Sequence, residues 1–447
     1  MTRDVAYDVC CIFHITGQVR RRVVKQKNTC PLRRRKFLVG EPSTAYEVRE
    51  RRRHVPGIVW IIAIAGISRF SLTTAKRFMY PFAPALSRGL GVPLSAITSV
   101  IAINQATSLL SIFFAPIGDQ IGYRVMLLAG MLVLSVGMFA GGLMPVYGML
   151  MLAFFLGGVG KSLFDPSLQA YVGARVAFER RGLAIGMIEV SWAASALLGI
   201  PLIGVFMERF GWRAPFFVIG SLAVLEMIAL RLVIPDEGKK SQGTRHAVRH
   251  FGTAWRRVVQ ERMALSGLCY AFLFHGANDL VFVVYGAWLE QAFGLSLAAI
   301  GFSTTVIGFA ELSGEGLTAF FSDRFGLQRT IVLGMIVASG SYLLLPLAGQ
   351  RLTFALAGLF LVFVSFECTV VTALSFFTEV LPEARATMMS GYIASAGAGR
   401  ICGALLGGKL WTMYQRIGVN SLTAALLGGL SLVFLFWGLR DWRTKEQ

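Results

Sequence analysis

The sequence predicts an all-α membrane protein of twelve transmembrane helices, arranged as two six-helix pseudo-repeats. Three observations predict it. Of 447 residues, 55% are hydrophobic and 15% charged, with a mean hydropathy of +0.63, whereas soluble domains carry roughly 25% charged residues. Twelve apolar runs approach or exceed the ~20 residues that cross a ~30 Å hydrocarbon core. Residues also recur at a constant separation of 204 across several of these runs. The runs are continuous rather than alternating, and only helices or closed barrels satisfy backbone polar groups in lipid, so the runs are read as helices.

The elements follow in order. Residues 1–54 form a basic leader, with 14 Lys/Arg against 5 Asp/Glu and no run of span length. It is expected to be a disordered cytoplasmic segment. The first bundle, 55–234, holds spans at roughly 57–86, 94–117, 124–143, 147–174, 181–208 and 213–234. A linker at 235–262 carries 7 Lys/Arg against 3 Asp/Glu. The second bundle, 263–440, holds spans at roughly 264–290, 296–321, 329–347, 352–378, 386–412 and 420–440, and residues 441–447 form a tail. An even number of spans places both termini on one side, and the cationic leader and linker make that side cytoplasmic under the positive-inside rule. The expectation is an integral, multi-pass protein of a bacterial-type inner or plasma membrane.

The net charge of +19 could suggest a nucleic-acid binder. The cations, however, flank apolar runs, as membrane topology requires, and no nucleic-acid partner is expected. Six cysteines lie at 10, 11, 30, 269, 368 and 402 without metal-type spacing, so neither a metal site nor a disulfide framework is expected. The five histidines, at 14, 54, 246, 250 and 275, also lack ligand spacing. No G-x-S-x-G and no G-x-x-x-x-G-K-[ST] run occurs, so the sequence points to no enzyme, no cofactor and no ATP-driven step.

The repeat fixes the architecture. Asp119 and Asp323, Gly122 and Gly326, Arg181 and Arg385, Gly199 and Gly403, and Gly204 and Gly408 all share the 204-residue offset. Residues 115–124 read APIGDQIGYR and 319–329 read AFFSDRFGLQR. On these residues the chain, over about 55–440, resembles the major facilitator superfamily, in particular its predicted sugar/drug efflux permease type. The family's cytoplasmic signature, G-x-x-x-D-[RK]-x-G-[RK], is matched by Asp119 and Gly122, with Arg124 one place late, and by Asp323, Arg324 and Gly326. Ala115, Ala319 and Gln120 depart from it. The resemblance implies a gate element that latches the two halves on the cytoplasmic side. Span five carries Gly199, Pro201 and Gly204, similar to part of the family's antiporter signature, which implies export. Span four lacks the Arg that often precedes the family's Gly-rich run.

Ionisable residues inside a membrane are costly and are functional-site candidates by default. Arg69, expected near the midplane of span one, is a substrate-binding candidate together with Thr73. Lys76 and Arg77 are expected to snorkel at the outer interface. Span four offers Lys161 and Asp165, four residues apart on one face, and span five offers Glu189. Glu226 and Arg231 are expected to be peripheral. In the second half, span seven carries His275, Asn278 and Asp279, with His275 placed to share a proton with Asp279. Glu311 and Glu315 repel at i,i+4, so one of them is expected to hold an exchangeable proton. Span ten carries Glu367, and span eleven carries Arg400 as a counter-ion.

The function expected from these residues is secondary active transport of a small organic solute by alternating access, driven by a proton gradient, with export favoured. Uptake of a small organic anion is the alternative, and a non-transporting membrane sensor is a distant third. Substrate contacts are expected from Arg69, Thr73, Lys161, His275, Asn278 and Glu367. Proton carriage is expected from Asp279, Glu311, Glu315, Asp165 and Glu189. The partners are a small-molecule substrate, protons and the lipid bilayer, and the protein is expected to act as a monomer.

Overall fold

In a computed structural model, residues 58–110, 114, 121–176, 187–235, 251–381 and 385–445 are described. The leader at 1–54, Asp119 and residues 236–250 of the linker lie outside them. The described residues contain α, π and 3-10 helix and no strand. Nine of their helical segments are long and apolar enough to cross a membrane. The other expected spans are also helical. Span one is interrupted, as Ile58–Arg77 and Met79–Leu90; span two starts as Leu94–Ala106; span eleven is the glycine-rich Arg385–Tyr414.

Turns at 91–93, 144–146, 211–213, 294–296, 349–351 and 415–416 lie at one end of the bundle, termed here the loop end. The linker lies at the other. Within the first half, Tyr123–Leu143 packs on Tyr147–Arg175 and Ala214–Val233. Within the second, Arg262–Phe282 packs on Arg385–Tyr414 and Ile417–Lys445.

The repeat is visible in the backbone. Gly122 (φ 105°) and Gly326 (φ 81°) immediately precede Tyr123–Leu143 and Leu327–Ala348, both in a conformation that a Cβ disfavours. Gly211 (φ 86°) has its counterpart, 204 residues on, in Gln415 (φ 49°). Gln415 is the one non-glycine of positive φ among the described residues. Spans one and seven also break at equivalent places, around Phe78 and around Val283–Val284. Pro81 explains the first break, since it cannot donate to the Arg77 carbonyl. Span seven has no proline there. In span five, Pro201 withdraws the donor that the Leu197 carbonyl would use, and a π turn forms at Ser195–Gly199.

The halves meet closely at the loop end. A Cβ on Gly286 of span seven would collide with the Pro81 carbonyl of span one, and one on Gly408 with Thr98. A Cβ on Gly204 would lie 2.7 Å from the Leu297 carbonyl oxygen, and one on Gly301 would lie 3.0 Å from the Ile200 carbonyl oxygen. Gly204 of the span-five run therefore sits in the seam between the halves. Glu208 Oε2 accepts hydrogen bonds from Ser296 Oγ (2.8 Å) and the Ala298 amide (2.7 Å), capping a helix of the opposite half. Arg88 and Glu290 pair at 2.7 Å nearby.

Candidate functional site

Charged side chains fill the centre in three layers. The layer nearest the linker is built around Arg69 of span one, which is 7% exposed. Its Nε donates to Asp165 Oδ1 (3.3 Å), its Nη2 to Glu189 Oε2 (2.8 Å) and its Nη1 to the Ile188 carbonyl (2.9 Å). Lys161 Nζ bonds Asp165 Oδ2 at 2.8 Å and Thr73 Oγ1 at 3.1 Å. Three elements of the first half are thus tied into one cation–carboxylate network. Several ionisable groups share partners, which is how charge is tolerated in a low-dielectric interior.

The middle layer crosses the halves. Arg77 of span one makes two hydrogen bonds to Glu311 of span eight: Nη1 to Oε2 at 2.9 Å and Nη2 to Oε1 at 2.7 Å. The guanidinium also packs over the Trp192 ring, 4.6 Å from its centroid. Arg77 and Glu311 are buried, so their geometry is the strong, bidentate kind. The interface position expected of Lys76 and Arg77 is therefore corrected. Span one continues to Leu90, which moves its middle to these residues. Glu311 is bound by a cation rather than left to repel Glu315 alone.

The third layer is at the breaks in spans one and seven. Asp279 Oδ1 accepts from the Tyr80 hydroxyl at 3.4 Å, and Arg400 Nε lies 3.8 Å from its Oδ2. Gln105 Nε2 donates to the same tyrosine oxygen. Asn278 Oδ1 accepts from Tyr342 Oη at 3.2 Å. His275 does not share a proton with Asp279. Its Nδ1 lies 2.9 Å from the Ala271 carbonyl of its own helix, and the rings of Phe366 and Tyr392 meet it edge-on.

Two cavities run through these layers. One, of about 40 Å³, is bordered by Lys76, Arg77, Asp279, Glu311, Glu367 and Arg400, with aromatic walls. The other, of about 340 Å³, lies toward the linker end along Lys161, Asp165, Gln169 and Ile393, and also touches Lys76. Sequence reasoning missed Lys76, Tyr80, Gln105 and Trp192 as cavity residues; the unusual length of the first apolar run is the signal that could have found them. It also placed Glu226 at the periphery. Glu226 is buried, accepting from Ser71 Oγ at 2.6 Å, because it faces span one rather than lipid.

The gate residues are only partly described. Gly122 and Gly326 form the repeated turn, and Arg324 is exposed. Arg124 Nη2 donates to the Arg231 carbonyl at 2.7 Å, satisfying the end of span six.

Two helical halves with a charged cavity at their shared axis define a membrane transporter of the two-bundle class. The profile of the Major Facilitator Superfamily matches residues 64–285 and 267–446. The chain belongs to this superfamily and is an integral, multi-pass transporter, not an enzyme. It is 26% identical to the MFS-type transporter YceJ of Bacillus subtilis over 333 residues, 74% of this chain and 84% of that one. It is 20% identical to Multidrug resistance protein 1 of the same species over 361 residues, 79% of this chain and 90% of that one. Among solved structures, the nucleoside transporter NupG (D323A mutant) superposes with a TM-score of 0.70 at 12% identity, over 85% of this chain and 99% of that one.

Proposed function

We propose that the chain exports a small organic solute in exchange for protons, by rocking its two halves about the central cavity. The Arg77–Glu311 pair carries this reading. It is the bidentate ion pair joining the two halves at mid-depth, and it lines the cavity. A proton arriving on Glu311 removes the charge that holds Arg77, and the halves separate at that level. Asp279, held by Tyr80 and Arg400, is the second carrier on this reading. Glu315, which lies in the field of Glu189 and Glu311, is the third. The direction rests on the span-five glycine–proline run and its seam position. Similarity to a protein named for multidrug resistance supports it.

Pulsed electron spin resonance tests the reading without a substrate. Spin labels at Met144→Cys and Arg351→Cys, one in each half at the loop end, are placed in a background lacking the six native cysteines. Two distance populations are expected, with their ratio changing between acidic and neutral pH. Glu311→Gln is expected to hold the acidic ratio at both. A single distance unaffected by pH and by Glu311→Gln would sink proton-driven rocking.

A further inference from the structure

Three of the four cations lining the two cavities are committed: Lys161 holds Asp165, Arg77 holds Glu311, and Arg400 faces Asp279. Lys76 is different. It borders both cavities and makes no hydrogen bond or ion pair among the described residues. Glu367 of span ten borders the smaller cavity from the other half and is equally without a hydrogen bond or ion pair among the described residues. The two are not within ion-pair distance of each other. An unpartnered charge at this depth is expensive, and such a group gives up its charge unless a counter-charge is brought in from outside.

Between them the cavity walls are aromatic: Tyr80, Trp192, Phe282, Phe363 and Phe366. Tyr80 and Phe282 stack with centroids 4.2 Å apart, and Phe282 meets Phe363 at 5.1 Å. In this state the space between them is only about 40 Å³, and it adjoins the larger one of about 340 Å³ at Lys76, so a solute fills it only as the halves part.

We propose that the transported solute is a zwitterion of amino-acid type, its anionic group seated on Lys76 Nζ, its ammonium on Glu367, and its apolar body against the ring walls. Such a molecule supplies both missing counter-charges at once. It also bridges the halves, because Lys76 belongs to the first and Glu367 to the second. The proposal rests on the transporter reading and names its substrate class.

The test is ligand-induced stabilisation of the purified full-length protein in detergent. The probes are the free protein amino acids and glycine betaine, added singly, followed by the N-acetyl and C-amide forms of each amino acid that binds. At least one free zwitterion is expected to raise the melting temperature, since a ligand that binds only the folded state stabilises it. Its N-acetyl form (anion only) and amide form (cation only) are expected to bind about thirtyfold more weakly or worse, because each leaves one buried charge unpaired. Lys76→Gln is expected to abolish the advantage of the free compound over its amide, and Lys76→Arg to retain it. Glu367→Gln is expected to abolish the advantage over the N-acetyl form. Retained binding by Lys76→Arg separates recognition from a folding defect at Lys76. The proposal is overturned if no zwitterion stabilises the protein, or if an N-acetyl or amide form binds as tightly as its parent. Binding in detergent needs no transport. A bound zwitterion that fails to move in vesicles would count against the transporter reading alone, whereas pH-dependent label distances without zwitterion binding would count against this proposal alone.

Discussion

At the scale of single residues, Arg77 and Glu311 form a buried pair with two hydrogen bonds between the halves. Removing one partner of a buried ion pair strands the other, at a cost of roughly 3–5 kcal/mol. Arg77→Ala and Glu311→Ala are each expected to lower stability by about that amount, measured by thermal unfolding in detergent. The double substitution is expected to cost less than either alone, because no charge is then left unmatched. Additive losses would show that the pair is not coupled. Much of this chemistry was legible in the sequence as residue types: Arg69, Asp165, Glu189, Asp279, Glu311 and Arg400 all stand out as charges in apolar runs. Their pairing was not, because partners lie on different spans: Arg69 and Glu189 are 120 positions apart, and Arg77 and Glu311 are 234 apart. Lys76 and Arg77 were misread for a simpler reason. The span was expected to end near 86 and runs on to Leu90, which moves its middle toward them.

At the scale of elements, hydropathy located the helices well, because continuous apolar runs leave few alternatives in lipid. It did not locate the interruptions inside them. Pro81 and Pro201 mark two in hindsight; the break near Val283 carries no such mark. The paired turns at Gly211 and Gln415 make a specific prediction. A left-handed residue is strained by its Cβ, at roughly 1 kcal/mol. Gln415→Gly is expected to stabilise the protein by about 0.5–1 kcal/mol. Gly211→Gln is expected to destabilise it by at least as much, both read by thermal unfolding. Equal stability of all three proteins would mean that these turns are not equivalent. Gly204 tests the seam in the same way. Gly204→Leu would press on the Leu297 carbonyl, and in the spin-label experiment it should shift the population away from the closed loop end.

For the whole molecule, the repeat describes the scaffold and not the chemistry. Adding 204 to Arg69, Lys76, Lys161, Asp165 and Glu189 gives Leu273, Leu280, Ser365, Thr369 and Ile393. Subtracting it from Asp279, Glu311, Glu367 and Arg400 gives Ala75, Thr107, Leu163 and Ala196. Each charged residue thus faces an uncharged counterpart, and the two halves present different surfaces to one cavity. Topology is the remaining whole-molecule expectation. The cationic leader and linker should lie in the cytoplasm. Single cysteines placed in the linker should resist an impermeant thiol reagent added to intact cells, and those at the loop end should react. Labelling of the linker from outside would reverse the orientation.

The cap that Glu208 places on Ala298 has a use beyond holding the seam. That amide is bonded only while the halves touch, so it keeps its hydrogen in heavy water for as long as the contact lasts. Its exchange rate is a clock that runs faster the larger the fraction of time this contact is broken. In Glu208→Ala the clock should run fast at the peptide containing Ala298 while the interior of Leu352–Val380 keeps its protection. A compound that locks the face shut should slow it.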